Sequence, residues 1–91
     1  MNKYALLAQR HWETYRPIEF ASMGDPETFF AELGEQISYQ IAELSRQLEG
    51  SGQPGEAYLT KVDRLRAVRL SAEEQVLRET LPAGEEHKAQ G

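Results

Sequence analysis

Ninety-one residues are enough for one domain with a thin core and too few for a large catalytic cavity. Ten Lys and Arg stand against fifteen Asp and Glu, a formal net charge of −5, which argues against bulk nucleic-acid binding, where a basic footprint is needed. The absence of cysteine excludes a disulfide framework and a thiolate metal site.

The chain opens on Met-Asn-Lys-Tyr-Ala-Leu-Leu-Ala, which carries one charge and too short an apolar stretch for a signal peptide. No run approaches the roughly 18 apolar residues that cross a bilayer. The expectation is a cytoplasmic protein without a membrane partner. Asn2 to Arg16 reads as a first helix with Asn2 as its cap. Tyr4, Leu7, Ala8, His11 and Tyr15 fall on one side of it, with Leu6 and Trp12 on the flanks. Pro17 ends the helix, because the residue before a proline is pushed out of helical geometry. Ile18 to Gly24 is then a connector whose Ile18, Phe20 and Met23 are apolar enough to lie against the bundle.

Asp25-Pro26-Glu27 is a helix start. Asp25 can accept from the first amides, Pro26 lacks only an N–H that would have no partner there, and Glu27 suits the positive end of the helix dipole. Phe30, Leu33, Ile37, Ile41, Leu44 and Leu48 then recur at steps of three and four, which predicts a second helix over 26–49, stopped by Gly50. Its opposite face carries Glu32, Glu35, Tyr39 and Glu43. Between the two runs a strip of small residues, Gly34, Ser38, Ala42 and Ser45. It reads as tight packing within the bundle or as a contact face for another chain. Gly34 costs roughly 1 kcal/mol against Ala in mid-helix, so the space it leaves should be used.

Gly50-Ser51-Gly52-Gln53-Pro54-Gly55 is a loop that favours an antiparallel neighbour. A third helix is predicted over 56–81, stopped by Pro82. Tyr58, Val62, Leu65, Ala72 and Val76 form its main stripe, and Leu59, Leu70, Leu77 and Leu81 a second one about 100° round. Two stripes call for two neighbours: the second helix, and either the first helix or another copy of the chain, in which case the four leucines are a dimer interface. Folding about the loop pairs residues whose numbers sum to about 106. That register sets Ala72 against Gly34, Val76 against Phe30 and, as the exception, Arg69 against Ile37, where Val68 is the alternative cover and Arg69 lays its stem along the seam. Residues 83–91 have little to bury and read as a disordered tail.

The fold expected is therefore all-α: a long antiparallel helical hairpin plus an N-terminal helix, a three-helix bundle over 1–82 that dimerisation would complete if the first helix does not.

Few residues invite chemistry. A two-His metal site would need His11 and His87 together, and nothing pairs them. The glutamates look solvated, and the glycine-rich turn lacks the Lys and Ser/Thr of a phosphate loop. A cofactor is not expected, nor is an enzyme. Lys61, Arg64, Arg66 and Arg69 against Asp63 give residues 61 to 69 a charge of +3, while Pro26 to Glu49 carries five acids and Arg46, or −4. The plain reading is that the basic helix offsets its acidic neighbour. The functional reading is a contact for phosphate or for an acidic partner surface. Direct nucleic-acid binding is the weaker form of it, since the four side chains do not share one helical face and no aromatic interleaves them.

In size, charge and lack of motif the chain resembles the small accessory proteins of phages and mobile elements, some of which bind and inhibit host defence complexes. That resemblance implies a non-catalytic, protein-binding role by surface occlusion. The acidic face of Glu32, Glu35, Tyr39 and Glu43 would meet a basic partner surface, with Trp12 either a core anchor or part of the contact edge. The rivals are a self-associating module built on the leucine stripe and a nucleic-acid accessory protein using the third helix.

Overall fold

The computed structural model describes residues 1–50 and 55–83, which form four helices and, among the described residues, no strand. They are α1 (Lys3–Tyr15), α2 (Pro17–Ala21), α3 (Pro26–Glu49) and α4 (Tyr58–Thr80). The centre of the expected loop, 51–54, and the expected tail beyond residue 83 lie outside the described residues.

The helix starts are where side chains satisfy free amides. Asn2 Oδ1 accepts from the Ala5 amide at 2.8 Å, and Asp25 Oδ1 from the Thr28 amide at 3.2 Å. Hydrogen bonds from Thr28, first its hydroxyl and then its amide, hold the Asp25 carboxyl below its ordinary value. Gly50 closes α3 at φ 63°, with its N–H on the Arg46 carbonyl. The segment 17–21, expected as a connector, is helical. Pro17 stops α1 and also opens α2, because a proline at a first helical position sacrifices no hydrogen bond. Phe20 and Met23 pack on the core as expected of the connector, while Ile18 stays exposed.

The extensive helix contacts are those of α3 with α1 and with α4, and α2 packs on α1. Two clusters make the core. Tyr4, Ile37, Ile41, Ala72 and Val76 form one, with Leu33, Leu44 and Leu77 against it. Ala8, Trp12 and Phe30 form the other, with Phe20, Met23, Leu33 and Leu81. Trp12 stands edge-on to Phe29 and Phe30 at centroid distances of 5.7 and 5.4 Å, a geometry worth about 0.5–1.5 kcal/mol per pair beyond burial.

Two features of the expected hairpin are corrected. The register is offset: Phe30 shares its cluster with Leu81 rather than Val76, and Ile37 packs in the cluster of Ala72 and Val76 instead of facing Arg69. The later start of α4, at Tyr58 instead of Glu56, moves the pairing in that direction. At Gly34 the tightest approach is to α1 and its cap, not to Ala72 as the register expects. A Cβ built there would fall 2.7 Å from both the amide nitrogen and the Cβ of Ala5, and 2.5 Å from Asn2 Oδ1. The close approach that glycine permits is between α3 and α1.

Candidate partner-binding groove

The helices differ in length, and this difference makes the site. With 1.5 Å per residue, the 24 residues of α3 run about 36 Å and the 13 of α1 about 20 Å. α1 therefore covers only part of the hairpin, and the molecule measures 59 × 26 × 17 Å. The near edge of that cover is marked by Glu73. Its carboxylate accepts from the Tyr4 hydroxyl and lies 3.6 Å from Lys3 Nζ. At the far end of α1, His11 Nε2 donates to the Pro82 carbonyl at 2.7 Å, and Arg16 donates to that of Ala83 at 3.1 Å. These bonds tie one end of α1 to α4 and the other to the residues just past the end of α4.

Beyond Glu73 the α4 surface continues as an open groove of about 490 Å³, lined by Val62, Leu65, Arg66, Arg69, Leu70 and Glu73. Leu70 is 58% exposed, and one stretch further along Leu59 and Tyr58 are 72% and 77% exposed. Across the hairpin, Ser38 and Ser45 follow Gly34 on the same helical face at spacings of four and eleven, past the point where α1 ends. Both are half-buried, and the enclosed Ser45 hydroxyl has no hydrogen-bond partner among the described residues.

The basic strip divides along these lines. Arg64 is structural: its guanidinium grips both Glu56 oxygens, at 2.9 and 3.2 Å, and donates to the Glu49 carbonyl at the end of α3. This clasp holds the start of α4 to the C-terminus of α3, where a cation suits the helix dipole. The Arg64 hydrogen bond, ahead of its charge and that of Lys61, pulls the Glu56 carboxyl below its ordinary value. Arg66 and Arg69 stand on the groove without an ion pair among the described residues, and Lys61 is exposed.

No family model, curated protein or solved structure matches this chain.

Trp12 is buried at 7% exposure in the cluster of Ala8 and Phe30, edge-on to Phe29, which is the place of the core anchor, the first of its two expected roles. Glu32, Glu35 and Tyr39 lie exposed on the outer stripe of α3, and Glu43 beside them is ion-paired to Arg46. The leucine stripe does not remain one surface. Leu77 and Leu81 pack half-buried against the two core clusters, whereas Leu59 and Leu70 remain exposed. Sequence reasoning does not single out Glu73 or the Val62–Leu65 floor as a site. The signal is present in helix lengths, since a helix as short as α1 cannot cover a hairpin whose arms are each more than 20 residues long. Among the described residues no helix is long and apolar enough to cross a membrane.

Proposed function

We propose that this is a non-catalytic helical protein that binds another protein, and that it does so along the open half of the α4 groove. The observation that carries this reading is the apolar floor of Val62, Leu65 and Leu70, left uncovered where α1 ends at Lys3. Exposed leucines scattered singly need no explanation, but an apolar groove that opens at Glu73, where the cover of α1 stops, has the form of a docking site. The role of an inhibitor or accessory factor acting by occlusion, as in the phage and mobile-element proteins it resembles in size and charge, is compatible with such a face.

A second reading keeps the outer stripe of α3, where Tyr39 at 66% exposure stands among Glu32 and Glu35, as a contact for a basic surface. One experiment separates them. A photo-crosslinker at position 70 is expected to give a heterologous adduct in cells, which Leu59→Glu in the same chain abolishes. Reversal of Glu32, Glu35 and Glu43 to Lys is expected to leave that adduct in place. Loss on the α3 reversal alone would move the site to the outer stripe, and an adduct of twice the chain mass would replace partner binding by self-association.

A further inference from the structure

We infer that the occupant of the open groove is an amphipathic helix carrying carboxylates one turn apart along the edge of its apolar face. This rests on the groove-docking reading above and adds the chemistry of the partner.

A helix already lies along this side of α4: past Glu73, α1 sets Tyr4 against Ala72 and Val76, while its Ala5 and Ala8 turn to Gly34 and Phe30 of α3. The length left over also suits a helix. From Tyr58 to Leu70, α4 runs 13 residues without α1 beside it, about 20 Å or the length of α1 itself. An incoming helix of three to four turns would lie end to end with α1 on the same wall.

Charge decides the kind of helix. Arg46 and Arg64 have carboxylate partners, but Arg66 and Arg69 have none among the described residues. The one acid on the groove, Glu73, is engaged by Tyr4 and Lys3. Two arginines three residues apart on a helix sit one turn apart, and they match carboxylates at the same spacing on a neighbour. A second copy fits badly. In an isologous contact centred on this groove, Arg66 and Arg69 would face their own counterparts. A phosphate chain fits badly too, because apolar Leu65 and Leu70 flank the two arginines on the α4 face and Val62 lies between them.

The test uses the full chain and two stapled 14-residue helical peptides. Both present Leu and Ala on one face; one carries two Glu three residues apart beside it, the other two Lys. By fluorescence anisotropy at low salt, the Glu peptide is expected to bind about tenfold more tightly than the Lys peptide, a preference that shrinks toward unity as salt screens the rim charges. Arg66→Glu with Arg69→Glu should reverse the preference, and Arg66→Gln with Arg69→Gln should erase it. Amide shifts in NMR spectra should centre on residues 62–70. Equal binding of both peptides, unchanged by charge reversal, would overturn the acidic-partner inference and leave groove docking standing. No binding, or shifts elsewhere on the molecule, would overturn both. A chain that dimerises through the groove in the absence of peptide would assign it to a second copy and overturn the inference.

Discussion

Gly34 sits where three groups converge, the Asn2 side chain and the backbone and Cβ of Ala5. Replacing it by Ala removes a mid-helix glycine, worth about 1 kcal/mol in favour of the variant, and forces a methyl against backbone, worth about 1–3 kcal/mol against it. The Asn2 side chain at 2.5 Å could turn aside, but the Ala5 amide nitrogen and Cβ at 2.7 Å are fixed to the α1 backbone, so the second effect wins. Gly34→Ala is expected to lower stability by about 1 kcal/mol in thermal or urea unfolding and to raise hydrogen exchange in α1 before α4. A stabilised variant would contradict the α1–α3 contact. That something uses the space at Gly34 is legible from its place in an otherwise regular helix. Which neighbour uses it is not, because residues 34 and 72 and residues 34 and 5 are equally compatible with the periodicity. Trp12 is a parallel case: its edge position on the apolar stripe leaves both core and contact open, and only the arrival of Phe20, Phe29 and Phe30 from two other helices encloses it.

Among the elements, the turn between α3 and α4 shows how a charge that belongs to a strip in the sequence becomes a clasp in the fold. Arg64 reaches back eight residues to Glu56 and fifteen to the Glu49 carbonyl. Helical spacing places Arg64 one turn from Lys61 but says nothing of the approach of Glu56 and the Glu49 carbonyl. The clasp has a pH signature. The Glu56 carboxyl lies below its ordinary value of 4.5 in the folded chain, so its contribution to stability is complete above that value and disappears as pH falls through the lower folded one. Asp25, also depressed, acts in the same direction at the start of α3. Thermal unfolding followed by circular dichroism from about pH 6 to pH 3 should therefore show a falling midpoint, with a shallower fall in Glu56→Gln. Identical slopes in the two proteins would mean that Glu56 is solvated and the clasp absent in solution. The five-residue α2 escapes periodicity because it is too short to show any, and Pro17 points both ways: its ring stops the helix before it, while its fixed φ favours the start of the next.

At the scale of the molecule, α1 covers one end of the hairpin and leaves the other as a two-helix stem. The radius of gyration is 17.0 Å, against about 12 Å for a compact chain of this length. An elongated fold with Leu59 and Leu70 exposed on its stem raises the question of dimerisation directly. Because α1 already packs against Leu77 through Tyr4's cluster, the remaining leucines are two, and the arginines between them repel a copy of themselves. Light scattering is expected to give a mass close to the 10.3 kDa of one chain at micromolar concentration and at all salt concentrations. A stable dimer would make the stem a self-association surface.

The existence of the three long helices, the caps at Asn2 and Asp25, the stop at Gly50 and the all-α class were determined by the sequence itself, because each depends on residues within about one turn of one another. Which apolar stripe is covered and which remains open was decided only by the tertiary structure. Cover depends on where a neighbouring helix ends, on the contact of Arg64 with the Glu49 carbonyl at the end of α3, and on a place where a missing side chain lets two backbones meet. Those are distances between residues far apart in the chain, and local periodicity carries no record of them.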